Sequence, residues 1–360
     1  MTHPLSEQFR RQARFCLPGS PLYAALLGAM ADDLDSDGIT AAVMRPYCED
    51  APTSVPPLRL MGALHRLVLE RRAPEVALHF PSVGGTAPVR DAWPAVQRLL
   101  TDQREEVAEL AGRQVQTNDV GRSAALLGAL LVIGQRTGLP IRLFEIGASA
   151  GLNLLVDRYA YAVDNRILGQ PDSSLRLQSP WRHYPPADLA RPLDIVERAG
   201  CDPFPIDPRT TEGRLTLTSY VWADWIERLD RLRAALSIAA DNPVTVERSR
   251  AAPWLAHRLG WPRTGSVTVV WHSVVWQYID AAERAEIETL LAEAGARATH
   301  TAPLALVGMD NVGVPDVRSR FEVTLTSWPG GDRELLATTV GHGIPTTWSS
   351  RPETPTPYWT

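Results

Sequence analysis

Residues 140–153, PIRLFEIGASAGLN, constrain the fold more than any other stretch of the chain. The apolar run at 124–133 reads as a helix and is closed by Gly138 and Pro140, the usual stop signals. Ile141, Leu143, Phe144 and Ile146 then make an apolar segment of strand length. A turn with glycine at 147 and 151 follows, and Leu152, Leu155 and Val156 open a new helical stripe. Strand, tight glycine turn, helix is the unit with which open parallel α/β sheets begin. Gly147 permits a sharp turn, and Gly151 lets the helix start pack closely on the strand. Free N–H groups at that helix start are expected to receive polar or anionic ligand groups.

The letters of this turn fit two chemistries. Glu145-Ile-Gly147-Ala-Ser149-Ala-Gly151 resembles the acidic-x-Gly-x-Gly-x-Gly motif of class I S-adenosylmethionine (SAM) methyltransferases, with Ser149 at the middle glycine. The same residues read Gly147-x-Ser149-x-Gly151, the nucleophile elbow of α/β-hydrolases. The dinucleotide fingerprint G-x-G-x-x-G fails, because Ser149 stands at its second glycine.

Composition removes several other chemistries. All 36 basic residues are arginine, so a Schiff-base lysine, a P-loop lysine and a kinase strand lysine are unavailable. The formal net charge of −5 gives no electrostatic case for nucleic acid. Cys16, Cys48 and Cys201 form no C-x-x-C pair, which argues against a zinc-thiolate site or a disulfide scaffold, and no metal is expected. No apolar run reaches the ~20 residues of a membrane span, and the polar, arginine-bearing N-terminus lacks an apolar signal core. The expectation is a cytoplasmic protein with no membrane partner and a small-molecule substrate; a homodimer is left open.

The pattern along the chain divides it into three. Residues 1–115 read as an all-helical N-terminal cap subdomain: Leu5, Phe9, Ala13 and Cys16 follow the helical period, Ser20-Pro21 starts a helix, and Leu60, Met61, Leu64 and Leu67 form another stripe. His65 and His79 are assigned there to packing. Residues 116–345 alternate strands and helices, which predicts a mostly parallel, Rossmann-like sheet, with an insertion at about 159–190. Segments 321–326 and 334–340 are expected to close the sheet as an antiparallel C-terminal edge around Pro329-Gly-Gly331. Residues 346–360 read as a surface tail.

In open α/β sheets, ligands bind outside the carboxyl ends of the strands. The residues placed just past the predicted strands are Gly147, Ala148 and Ser149, then Asp202, Ser249, His272 with Ser273, and Asp310 with Asn311. Asn118 or Asp119 reads as an N-cap, with Asn118 and Arg122 also placed beside the glycine turn. The phrases QTNDVGR, LFEIGASAGLNLLVDRY, GCDPFPIDP, VVWHSVVWQYI and GHG, in this order, resemble an uncharacterised bacterial family, a domain of unknown function. The core is similar to class I SAM methyltransferases, and that resemblance implies a site. Glu145, Gly147, Ala148, Ser149, Gly151 and Asn153 would face SAM, Asp202 its ribose, and Ser249 would stand near the adenine. His272 is the candidate general base, with Asp310 orienting or replacing it. Asn118, Arg122, Asp157, Tyr159, Ser273, Trp276, Tyr278 and His342 are the candidate substrate contacts. The alternatives are a serine hydrolase using Ser149, Asp310 and His342 in that chain order, and a SAM-fold binding module without catalysis.

Overall fold

The computed structural model describes residues 3–312 and 320–353. The chain forms two compact units. One comprises the residues through Thr117 together with Thr210–Leu232, and the other comprises Asn118–Arg209 and the chain from Arg233 on. Residues 354–360 of the expected tail lie outside the described residues.

Among its described residues the first unit holds helices joined by turns and loops, and no strand. Helix α1 (Ser6–Cys16) and α2 (Pro21–Asp35) start the chain; Ser20 caps α2 by accepting the Tyr23 N–H at 3.0 Å. After α3 (Ile39–Met44), α4 (Pro56–Leu69) buries Leu60, Met61, Leu64 and Leu67 along the predicted stripe. Helices α5 (Pro74–Ala77), α6 (Ala92–Asp102) and α7 (Arg104–Ala111) follow, and α9 (Thr211–Ser219) joins them from later in the sequence. Val221, Leu229, Leu232, Leu236 and Ala239 are apolar at helical spacing, but the chain is helical only from Ile226, where α10 (Ile226–Asp241) begins.

The second unit is built on a nine-stranded, mostly parallel sheet. It opens with α8 (Ser123–Thr137), ended by Gly138 in the left-handed conformation, which leads into β1 (Ile141–Ile146). The insertion forms a small sheet of its own from β2 (Ala160–Val163), β3 (Arg166–Gly169) and β4 (Arg176–Gln178), with β5 (Trp181–His183) joining the large sheet. Next come β6 (Ile195–Asp202), β7 (Val246–Arg248), α11 (Ala251–Arg258), β8 (Val267–Ser273), α12 (Ala281–Ala296) and β9 (Leu304–Val312). Asp280 caps α12 by accepting the Glu283 N–H at 2.8 Å, as the capping-box pattern predicts. β10 (Arg320–Trp328) and β11 (Asp332–Thr339) form the expected antiparallel pair. The expected tail includes a strand, β12 (Thr346–Glu353), which pairs with β11 and β5.

Strand order is β5-β12-β11-β10-β9-β8-β1-β6-β7, and β7, β6, β1, β8 and β9 run parallel to one another. β1 is central and buried along its whole length, consistent with its unbroken apolar text. Phe144, Ile146, Val270 and Leu304 on one sheet face pack with Trp254, Leu255, Ile287 and Leu291 of α11 and α12. Among the described residues, no helix is long and apolar enough to cross a membrane.

Candidate functional site

The chain leaves β1 through Gly147 (φ +66°), Ser149 (φ +53°) and Gly151 (φ +71°). A Cβ on Gly147 would collide with the side chain of Val275, so this glycine serves close packing as well as the turn. Ser149 bears a side chain in the same backbone region, a strain on the order of 1 kcal/mol or more. Its N–H donates to Asp202 Oδ2 at 2.9 Å, and Asp202 Oδ1 accepts the Phe204 N–H at 2.8 Å. The Ala148 N–H donates to the Cys201 carbonyl at 3.0 Å, which stitches the turn to the end of β6. On the other side the Leu152 N–H donates to Asn118 Oδ1 at 2.9 Å. Two of the N–H groups expected to receive a ligand are therefore already engaged by the protein. The expected helix is also replaced: Leu152–Arg158 is a short 3₁₀ run broken at Leu155 by non-helical backbone angles. Such a run has no long array of aligned peptide dipoles behind its first turn.

A second stitch lies before α8. Asp119 accepts the Gly121 N–H at 3.0 Å through Oδ1, and its Oδ2 lies 2.9 Å from His342 Nδ1. Arg122 donates to the Gly341 carbonyl at 3.1 Å and to the Ser273 carbonyl at 3.3 Å. Side chains on Gly121 or Gly343 would strike the opposing backbone, so TNDVGR and GHG interlock. Asp119 is thus the cap, while Asn118 reaches the glycine turn.

The strands run further than their text suggests. His272 and Ser273 lie inside β8, and Asp310 and Asn311 inside β9, rather than just past the strand ends. The error has a physical origin: periodicity marks where apolar residues stop, whereas the hydrogen-bonded ladder continues through polar ones. The consequence is large, because alternate residues of a strand face opposite sides. Glu145 pairs in register with Trp271, and Trp271 with Val307, which puts Glu145, Trp271, Ser273 and Asn311 on one face. His272 and Asp310 occupy the other face, with Glu322 of β10 directly opposite Asp310. There the His272 ring stacks on Trp276 at 5.0 Å, and His272 Nδ1 stands 3.1 Å from Asp310 Oδ2 without the alignment of a hydrogen bond.

About half of the buried polar side-chain atoms without partners among the described residues lie at this edge of the sheet, divided between its two faces. Glu145 Oε2, both amide atoms of Asn153, Trp271 Nε1, His272 Nδ1, Asp310 Oδ2 and Asn311 Oδ1 all lack a hydrogen bond of normal geometry. Native interiors pair nearly all such atoms, so each of these exceptions calls for a partner such as an ordered water or a bound molecule. Burial raises the Glu145 carboxyl well above its usual range, and the Trp271 indole and the Arg122 charge only partly offset it. The loop after β8 adds strain: Val274, a β-branched residue, holds φ at +55°. Among the described residues, no cluster of three His, Cys, Asp or Glu is placed to hold a metal ion.

The model of a family described as an uncharacterized protein conserved in bacteria, DUF2332, matches residues 6–348. The chain belongs to the DUF2332 family. Neither curated proteins nor solved structures gave a match.

The remaining candidates in this DUF2332 chain separate by what they touch. Asp157 is gripped by Arg198 at 2.6 and 2.9 Å, which ties the 3₁₀ run to β6. Tyr159 is wholly buried and donates its hydroxyl to the Leu152 carbonyl. Ser249 follows β7, donating its N–H to the Asp202 carbonyl at 3.2 Å. Tyr278 is exposed just beyond Trp276. Glu322 and the strained Val274 were not singled out from the sequence. Register and backbone angle identify them, and neither leaves a mark in residue type.

Proposed function

We propose that the protein is a Rossmann-like, SAM-dependent methyltransferase acting on a small-molecule acceptor. One observation carries the reading: the chain steps outward from β1 to β6 and β7, then returns across β1 to β8 and β9. This reversal puts a topological switch point beside β1, where open parallel sheets bind their ligands. At that point stand an acid one residue before the end of β1, a glycine turn, and an acid ending β6 that grips the turn.

SAM, when bound, supplies a methyl group activated by a positive sulfonium. The residues fit such a ligand through their polar atoms more than through an open glycine cradle, since Val275 already covers Gly147. Glu145 and Asn153 offer unpaired acceptors and donors for the amino-acid end. Asp202, fixed by two backbone N–H groups, is the acid for the ribose hydroxyls, and Ser249 follows the next strand out. His272 projects from the opposite sheet face, so proton removal by it requires the acceptor to approach around the end of β8, where Trp276 covers the imidazole. Methyl transfer needs chiefly in-line positioning, which the strained loops on either side of the switch point favour.

The left-handed backbone of Ser149 favours a second reading, a serine hydrolase. Two observations weigh against it. β1 is the first strand among the described residues. Asp310 lies against His272, and His342 against Asp119, rather than against each other.

Calorimetric titration with SAM and S-adenosylhomocysteine tests the proposal, and binding of either is the expected result. No heat from either ligand removes it and leaves the binding-module alternative. Labelling of Ser149 by a fluorophosphonate, lost in Ser149→Ala, transfers the assignment to the hydrolase.

A further inference from the structure

We propose that Glu145 carries a proton in the ligand-free protein and releases it to solvent when a ligand's ammonium group docks against it. Occupation of the site is thereby coupled to loss of about one proton. The identity of the ligand rests on the methyltransferase reading; the proton rests on what surrounds Glu145.

Its neighbours leave a carboxylate uncompensated. In register, Glu145 is flanked by Gly200 on β6, which has no side chain, and by Trp271 on β8, whose neutral indole N–H only partly offsets the burial. From the segment before α8, Arg122 acts on it at a distance, but that guanidinium also donates to the Ser273 and Gly341 carbonyls. From the end of β6, Asp202 adds a like charge that disfavours ionisation. Tyr159 is uncharged, wholly buried, and donates to the Leu152 carbonyl. Glu145 is itself 1% exposed, and its Oε2 has no hydrogen-bond partner. A carboxyl group in such a place stays neutral until a cation arrives.

The other unpaired atoms say which cation. Asn153 lies fully buried in the run that packs back on β1, with both its Oδ1 acceptor and Nδ2 donor unused, while the Trp271 indole N–H is turned to the Glu145 carboxyl. The Glu145 carboxyl and Asn153 Oδ1 as acceptors, with Asn153 Nδ2 as donor, complement the ammonium and carboxylate of an α-amino acid group. A lone amine would leave the Asn153 donor unmet, and a lone carboxylate would leave Glu145 unmet. The geometry therefore points to a zwitterionic ligand end, with the ammonium set against Glu145.

Titration with S-adenosylhomocysteine in phosphate and in Tris at pH 7 tests the coupling, because the two buffers differ in their heat of protonation. The expected binding enthalpy differs between them by the amount for about one proton per ligand, and Glu145→Gln removes that difference. The wild-type protein supplies a second measure that needs no variant. Below the Glu145 pKa, affinity should tighten about tenfold per pH unit. An infrared band of a protonated carboxyl in the ligand-free protein, absent from Glu145→Gln, is the third. Heat that is the same in both buffers, with affinity flat in pH, overturns the coupling while leaving the methyltransferase reading intact. No heat in either buffer overturns that reading and the ligand assignment with it, whatever the infrared band shows.

Discussion

Two buried polar centres in this chain are treated in opposite ways. In the helical unit, His65 is wholly buried on α4, yet both ring nitrogens have partners, Ser82 Oγ at 2.8 Å and the Ser219 carbonyl at 3.2 Å. The carbonyl can only accept, so Nδ1 carries the hydrogen and Nε2 accepts from Ser82. At the edge of the large sheet, Glu145, Asn153 and Trp271 are just as deeply buried and remain unpaired. The helical unit also buries single unpaired hydroxyls at Tyr23 and Thr40, so what sets the sheet edge apart is several unpaired groups close together in the register. A satisfied buried group closes a structure, and on the proposed reading the unsatisfied ones at the sheet edge are completed by a ligand.

The comparison predicts stability effects of opposite sign. His65→Ala should be the most costly, about 3 kcal/mol, because it opens a cavity and strands both the Ser82 hydroxyl and the Ser219 carbonyl. Urea unfolding measures it. A loss below about 1 kcal/mol would break the claim that His65 holds the helical unit together.

pH sharpens the contrast. Burial lowers His65 from 6.5 to about 4, so between those values the unfolded chain takes up a proton that the native state refuses. Stability from this group falls in acid across that window by about 3 kcal/mol. Glu145 works the other way. Burial raises it, so above pH 4.5 the unfolded chain gives up a proton that the native state keeps, and stability falls as pH rises toward the folded value. Unfolding curves from pH 4 to 8 should show Glu145→Gln gaining on the wild type as pH rises. His65→Gln should instead gain on it as pH falls. Parallel curves for wild type and Glu145→Gln would mean that Glu145 is already ionised in the native protein.

The legible part of this molecule was whatever depends on apolar spacing and turn chemistry. The stripe of α4, the Ser20 and Asp280 caps, the buried β1 and the antiparallel pair at the C-terminal edge were all readable. So was the meeting of Ser149 and Asp202 at one turn, since parallel strands bring their carboxyl ends to one rim, with Asn118 placed beside it by the helix that leads into β1. Where β8 and β9 end was not readable, because His272, Ser273, Asp310 and Asn311 extend the ladder in polar letters. Two residues of strand decided which sheet face His272 occupies. Nor does residue type distinguish the paired Asp157 from the unpaired Glu145; partner geometry does.

Asn153 gives the smaller and more searching test. Its amide is fully buried with neither end paired, so the folded state gains nothing from those dipoles and bears their loss of solvent. Asn153→Leu, similar in size, should therefore stabilise the protein by about 1 kcal/mol while removing a donor and an acceptor from the site. A gain in urea midpoint together with weaker binding of S-adenosylhomocysteine is the signature of a group kept for a ligand at the expense of the fold. Asp157→Asn is the control, since it loosens the Arg198 pair, costs about 1 kcal/mol or less, and should leave ligand affinity unchanged. If Asn153→Leu destabilises instead, an ordered water already satisfies that amide, and the contrast with His65 dissolves into two equally closed centres.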